Sequence, residues 1–198
     1  MKTYRINEIF YSIQGEGMRA GSPSLFVRFQ GCNLRCRQES HGFDCDTEFV
    51  SGTSWTSLEI VAYMKELAPA CPWVVLTGGE PAQQLDADLL EYLHRAGYTL
   101  AIETNGTVAL PDGIDWITVS PKVAEHAIRQ RIANEVKYVR GFGQGIPRTV
   151  VKADHHLISP AFDGSDLDPK TLRWCIDLVK ENPTWRLSVQ QHKFWSIR

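Results

Sequence analysis

The chain has 198 residues, of which 43% are hydrophobic, and a formal net charge of −2. This length and composition fit one domain, spanning 1–198, with a core of ordinary size. The weak charge gives no basic surface for nucleic acid, and there is no apolar run long enough for a membrane span. The first residues lack the apolar core of a signal peptide, so we expect a cytoplasmic protein whose cysteines stay reduced.

Strand-like and helix-like segments alternate along the chain. Apolar and β-branched runs predict strands at Leu25–Phe29, Trp73–Thr77, Tyr98–Glu103, Ile114–Val119, Glu135–Val139 and Trp185–Val189. Helix starts are predicted by a capping box at Thr56 and Glu59 and by Asp168 followed by Pro169, the latter helix running to about Glu181. The apolar faces of two helices are predicted at Leu58, Ile60, Val61, Met64 and Leu67, and at Leu89, Leu90 and Leu93. This alternation predicts an α/β fold with a parallel sheet.

Polar and glycine-rich segments directly follow several of these strands. They begin at Cys32, at Thr77, at Glu103 and at Ser120. In parallel α/β folds ligands bind at the carboxyl ends of the strands. The four segments therefore predict one binding site at one edge of the sheet.

Three of the five cysteines, Cys32, Cys36 and Cys45, are spaced C-x3-C-x8-C. Clustered cysteines in a reducing compartment are read as metal ligands before disulfides. A closed iron–sulfur cluster usually takes four cysteines, so three thiolates suit a cluster that keeps one coordination position open for substrate. Cys71 and Cys175 lie in apolar surroundings and are predicted to be small buried hydrophobic residues.

These motifs resemble those of the radical S-adenosylmethionine enzymes and, among them, the 7-carboxy-7-deazaguanine synthase family. The resemblance runs nearly end to end and includes the segments 14–17, 26–34, 45–47, 77–81, 103–106, 120–122 and 187–193. It implies an incomplete, partial TIM-type barrel whose open side is shielded by loops. One departure is that eight residues separate Cys36 from Cys45, where the superfamily most often has two.

The resemblance also implies the cofactors and the residues that bind them. Cys32, Cys36 and Cys45 would hold a [4Fe–4S] cluster, and Thr47 would be a ligand to Mg²⁺. S-adenosylmethionine would bind the fourth iron and contact a set of residues spread over four segments: Asp44, Cys45, Asp46, Gly79, Ser120, Pro121, Lys122, Ser159, Pro160, Ala161 and Phe162. The match at Ser159 is the weaker one, because the family more often has glutamine there.

The activity implied is a radical ring contraction of 6-carboxy-5,6,7,8-tetrahydropterin to 7-carboxy-7-deazaguanine, with loss of ammonia. The implied substrate contacts are Ile13, Gln14, Gly15, Arg28, Thr77 and the terminal carboxylate of Arg198. Glu16 and Glu103 are candidate proton-transfer groups, and His192 and Lys193 are candidate lining residues. Arg28 has two interpretations, a fork to the substrate carboxylate or a structural ion pair.

The implied partners are a second copy of the chain, giving a homodimer, and a flavodoxin-like reductant. Two other functions stay open at this stage. One is a radical activase that acts on a partner protein. The other is a zinc-stabilised binding module that uses the three cysteines, with or without His41; for His41 the favoured interpretation is a solvated loop residue, and a ligand role is the minority one.

Overall fold

The computed structural model describes residues 2–37, 41, 45 and 47–198. In these ranges one sheet is formed by the strands β1 (Thr3–Ile13), β2 (Pro23–Phe29), β3 (Thr53–Thr56), β4 (Trp73–Gly78), β5 (Thr99–Thr104), β6 (Trp116–Val119), β7 (Ile132–Arg140), β8 (Lys152–Pro160) and β9 (Trp185–Leu187). The α-helices are α1 (Ser57–Leu67), α2 (Ala87–Arg95), α3 (Pro169–Glu181) and α4 (Gln191–Phe194). Single 3₁₀ turns lie at Pro81–Gln83 and Glu125–Ala127.

The strand order is β3-β1-β2-β4-β5-β6-β7-β8-β9. From β2 to β9 all neighbours pair in parallel, as predicted. At one edge the sheet adds antiparallel strands to the predicted parallel ones, because β3, β1 and β2 pair antiparallel. The hairpin connection between β1 and β2 is short, and a short connection joins only antiparallel strands. The pairing ends at β3 and β9, so the sheet is an incomplete barrel.

One face of the sheet packs against the helices. Two clusters of buried side chains fill this layer, one around α1 and α2 and one around α3. The capping box that starts α1 is present, with Thr56 accepting from the Glu59 amide and Glu59 accepting from the Thr56 amide. The predicted apolar face of this helix is only partly buried, because Leu58 and Leu67 are exposed. Cys71 and Cys175 are buried in these clusters, which confirms their structural role.

The opposite face of the sheet lies inside the partial barrel. Because side chains alternate along a strand, Val75 points away from the helix layer and packs with Phe10, Phe26 and Ala101. Two residues farther along the same strands, on the same face, come Arg28, Thr77 and Glu103. An apolar floor thus lies beneath a polar layer at the carboxyl ends of the strands.

The open side of the barrel is spanned by the connection between β1 and β2, residues 14–22. The Gly17 amide donates to Ser188 Oγ at 2.9 Å, and the Met18 amide donates to Glu135 Oε2 at 2.9 Å. The Gln191 amide donates to the Gly15 carbonyl at 2.9 Å. The connection therefore joins the first two strands to β7 and to the segment after β9.

Within the described part of the chain, no helix has the length and apolar character needed to cross a membrane.

Candidate active site

The polar segments at the carboxyl ends of the strands line two adjoining pockets. The cysteine pocket is lined by Cys32, Cys36 and Cys45 and by the segments that follow β4, β5, β6 and β8. The arginine pocket is lined by Arg28 and Arg198 and by residues of β1 and of the chain's end, and its volume of about 600 Å³ is typical of small-molecule sites. The four segments predicted to converge do converge.

Most of the predicted S-adenosylmethionine contacts line the cysteine pocket. Besides Cys45, these residues are Gly79, Ser120, Lys122, Ser159, Pro160 and Phe162. Pro121 and Ala161 lie next to lining residues in sequence but are not part of the pocket wall. Asp44 and Asp46 lie outside the described residues.

The three thiols all line one pocket. Cysteine thiolates are the usual ligands of iron–sulfur clusters, so a pocket with three of them could hold such a cluster. Burial raises the pKa of Cys32 and of Cys36, so binding iron there would release protons.

The strand ends hold the first part of the cysteine loop by direct backbone contact. The Glu80 amide donates to the Gly31 carbonyl at 2.8 Å. A Cβ on Gly79 would lie 1.9 Å from the same carbonyl oxygen, so only glycine allows this approach. Asn33 accepts from Asn105 Nδ2 at 3.0 Å and donates to Thr107 Oγ1 at 2.7 Å. The segments after β4 and β5 therefore fix where the loop leaves β2.

Glu80 joins these two segments. Its side chain is only 1% exposed and accepts from Thr104 Oγ1 at 2.7 Å, from the Asn105 amide at 2.7 Å and from the Ala82 amide at 3.0 Å. Burial raises the pKa of this carboxyl, although the three hydrogen bonds oppose the shift. The sequence motif Gly-Gly-Glu-Pro points to Glu80, but its clamp between β4 and β5 emerges only from the structure.

Glu48 fixes the other end of the cysteine loop, next to Thr47. It accepts from the Val50 amide at 2.7 Å and from the Ser51 amide at 2.8 Å, and it also contacts Asn7 of β1. Thr47 itself lines both pockets. The predicted magnesium ligand thus lies on an anchored segment between the two pockets.

All the predicted substrate contacts line the arginine pocket: Ile13, Gln14, Gly15, Arg28, Thr77 and Arg198. Arg28 Nε lies 2.9 Å from Glu8 Oε1, and Arg198 Nη1 lies 3.2 Å from Glu8 Oε2. Arg28 therefore makes the ion pair of its structural interpretation while its side chain also lines the pocket. His192 and Lys193 line the same pocket.

Six residues line both pockets and form the wall between them: Glu16, Thr47, Thr77, Glu103, Lys137 and Gln190. Lys137 Nζ lies 2.6 Å from Glu16 Oε2 and 3.2 Å from Glu103 Oε2. Gln190 donates to Glu16 Oε1 at 2.9 Å. The two predicted proton-transfer groups thus share one ammonium group at the boundary of the pockets.

The pKa values of the charged groups in and beside this wall shift in different directions. Burial opposes ionisation of Glu16, but Lys137 and Gln190 outweigh it and lower its pKa to about 2. Burial dominates at Glu103 and raises its pKa to about 7. Burial opposes the charge of Lys137 too, yet the two carboxylates raise its pKa above the usual range. Burial lowers the pKa of Lys122 to about 8. Shifted groups of this kind are typical of sites that move protons.

Sequence reasoning missed Lys137, Gln190 and Glu135. Glu135 accepts from Thr118 Oγ1 and from the Met18 amide, and a Cβ on Gly17 would lie 2.3 Å from its Oε1. A signal was present in β7, because two charged residues alternate with apolar ones in a strand that is paired on both sides. Such residues must point into the barrel and need partners there.

Comparisons with known proteins agree with this geometry. Residues 13–137 match a family described as "4Fe-4S single cluster domain". The 7-carboxy-7-deazaguanine synthase of Bacteroides thetaiotaomicron is 43% identical and that of Bradyrhizobium diazoefficiens is 41% identical. The alignments cover 98% and 99% of this chain and 98% and 100% of the relatives.

Among solved structures, QueE from Escherichia coli superposes with a TM-score of 0.72 at 26% identity, covering 96% of this chain and 95% of that one. The fold and the cysteine pocket on one side, and full-length relatives on the other, lead to the same assignment. The chain belongs to the 7-carboxy-7-deazaguanine synthase family.

Proposed function

We propose that this chain converts 6-carboxy-5,6,7,8-tetrahydropterin to 7-carboxy-7-deazaguanine and ammonia. The atoms balance, because the product differs from the substrate by one ammonia. The observation that carries the proposal is the pair of adjoining pockets, one lined by three thiols and one by polar groups suited to a pterin. Their common wall places a substrate next to a radical source.

The cysteine pocket would hold the cofactors. Cys32, Cys36 and Cys45 would bind three irons of a [4Fe–4S] cluster and leave the fourth for S-adenosylmethionine. When bound, these groups supply the one-electron cleavage that yields a radical able to take hydrogen from the substrate. Gly79 lets the backbone approach the ligand, and Phe162 gives it an apolar wall.

The arginine pocket would hold the pterin. The Gln14 side chain and the Gly15 backbone offer donors and acceptors of the kind that a pterin edge requires. Arg28 would exchange part of its contact with Glu8 for the substrate carboxylate, for which the guanidinium is a matched partner. Thr77 and Glu103 face both pockets, so they would lie beside the reacting carbon.

Loss of ammonia requires protons to move, because the nitrogen must leave with three hydrogens. Glu103 suits this task, since a carboxyl with a pKa of about 7 both accepts and gives protons near neutral pH. Glu16 suits a different task, which is to hold the substrate. Its pKa of about 2 keeps it charged, so it would hold positive or donor groups of the substrate in place.

Three further parts of the proposal come from the family resemblance, and a fourth, the cytoplasmic location, is the expectation drawn from the sequence. Thr47 would be a ligand to Mg²⁺, together with substrate oxygens and water, which is the kind of site that Mg²⁺ prefers. The chain would form a homodimer, receive electrons from a flavodoxin-like protein and work in the cytoplasm.

An anaerobic turnover assay tests the proposal. The protein is reconstituted with iron and sulfide and mixed with S-adenosylmethionine, dithionite, Mg²⁺ and the pterin, and the products are analysed by mass spectrometry. We expect 7-carboxy-7-deazaguanine in excess over the S-adenosylmethionine consumed, and none with Cys32→Ala. Formation of 5′-deoxyadenosine alone would instead favour an activase, and zinc without iron or sulfide in anaerobically purified protein would favour a binding module.

A further inference from the structure

Lys137 occupies a central place in the wall between the pockets. It lies on β7, points into the barrel and is 6% exposed. Its Nζ contacts Glu16, from the connection after β1, and Glu103, from β5. The other charged groups that act on these three come from β7 itself, from the connection after β1, from the segment after β6 and from the chain's end: Glu135, Arg19, Lys122 and His192.

The two carboxylates are held unequally. Glu16 accepts from Lys137 at 2.6 Å and from Gln190 at 2.9 Å. Glu103 accepts from Lys137 at 3.2 Å and from Gln14 Nε2 at 3.4 Å, which is long for a hydrogen bond. Glu16 is therefore fixed by two short hydrogen bonds, whereas Glu103 is held by longer ones and remains available to a substrate. Glu135 does not compete for Lys137, because its bonds are to Thr118 and Met18.

We infer that Lys137 is a positioning residue that binds Glu16 and Glu103 to one ammonium group and so makes Glu103 the carboxylate that exchanges protons with the substrate. This inference rests on the proposed function. The departing nitrogen carries one hydrogen in the pterin, so over one turnover Glu103 takes two protons, one after the other, from the ring carbons of the substrate and passes both to this nitrogen. The nitrogen leaves as ammonia, and the three groups regain their charges.

The test compares Lys137→Met with Lys137→Arg, and uses Lys180→Met, an exposed lysine on α3, as the matched control. We expect Lys137→Met to keep the cluster's absorption and its binding of S-adenosylmethionine while kcat falls about 100-fold, the usual scale of a proton-transfer effect. The KM for the pterin should change much less. Lys137→Arg should recover part of kcat because it restores the charge, and Lys180→Met should match the wild type.

The pH profile distinguishes positioning from a merely structural role. Lys137 favours ionisation of both carboxyls, so its removal raises the pKa of each and moves the acidic limb of kcat to higher pH. Lys137→Arg should move that limb much less. If Lys137→Met does not fold, the comparison of Lys137→Gln with Lys137→Arg gives the same readout, because only the second keeps the charge.

Equal kcat and an unmoved acidic limb in the Lys137 variants, with product formed by the wild type, would overturn the inference and leave the proposed function intact. Loss of the cluster in Lys137→Gln and Lys137→Met alike, with an unshifted limb in any residual activity, would also overturn it. Absence of the deazaguanine product from the wild type would refute the proposed function itself.

Discussion

Glu80 offers a quantitative test of how the strand ends are held together. In Glu80→Ala the amides of Ala82 and Asn105 lose their acceptor in a buried place. Thr104 Oγ1 loses one partner but still accepts from the Gly106 amide at 3.1 Å. In Glu80→Gln the side-chain amide oxygen can replace one of the two carboxylate oxygens. The side-chain NH₂ group takes the place of the other oxygen and faces a backbone N–H, from which it cannot accept a hydrogen bond.

The expected cost follows from these counts. A buried donor left without a partner costs about 1–3 kcal/mol. These two amides and the hydroxyl of Thr104, which also donates to Glu80, make Glu80→Ala less stable by roughly 3–9 kcal/mol, a large share of the roughly 5–15 kcal/mol that stabilises a typical domain. Glu80→Gln orphans one amide and should lose roughly 1–3 kcal/mol.

Urea unfolding of the metal-free protein, followed by circular dichroism, measures both values without interference from cluster loss. Glu66→Ala, at an exposed position of α1, is the control and should remain within about 0.5 kcal/mol of the wild type. Hydrogen exchange should show faster exchange of the Asn105 amide in both Glu80 variants. A loss below about 1 kcal/mol for Glu80→Ala, or equal losses for the two variants, would refute the hydrogen-bond argument.

Three further changes have defined outcomes. Gly79→Ala places a methyl group on the Gly31 carbonyl, so the iron retained per chain and the rate of product formation should both fall. The rate should fall by roughly tenfold or more, which corresponds to about 1.4 kcal/mol in the barrier. A normal iron content would count against the contact. The pKa of Glu103 is about 7 in the folded chain and 4.5 in the unfolded chain, so the folded chain binds this proton more tightly. The free energy of unfolding of the wild type should therefore fall by about 2–3 kcal/mol as pH rises from 5 to 8. Urea titrations should show this decline reduced in Glu103→Gln, and an unchanged decline would show that another group causes it. Cys32→Ala should abolish the cluster's absorption whereas Cys71→Ala should preserve it, and loss in both would contradict the assignment of Cys71 to the core.

The sequence predicts the parallel part of the sheet well and its antiparallel edge poorly. The strands β2, β4 and β5 are short apolar runs buried on both faces, which is a strong signal. β1 gives a weaker one, because its pairing register shifts between Ile6 and Glu8 and its inward residues include Glu8 and Ser12. Glu8 lines the arginine pocket, so the usual alternation of apolar and polar positions does not identify the strand.

The sequence likewise predicts one part of the candidate site well and another part poorly. Cysteine spacing and glycine-rich segments predict which residues line the cysteine pocket, since both depend on local chain geometry. Lys137 and Gln190 could not be found in this way, because their role depends on Glu16, which lies more than 120 residues earlier than Lys137 in the chain. Long-range pairing between charged side chains leaves no local pattern beyond the unusual presence of a lysine inside a central strand.

The incomplete barrel and the active site depend on the same connection. A closed barrel has no edges, whereas here residues 14–22 cross the open side and bond to Glu135 and Ser188. The same connection carries Glu16 into the wall between the pockets and Gln14 into the arginine pocket. A mutation that loosens Met18 from Glu135 should therefore lower both stability and substrate affinity, because one segment shields the interior and presents groups that would face the substrate.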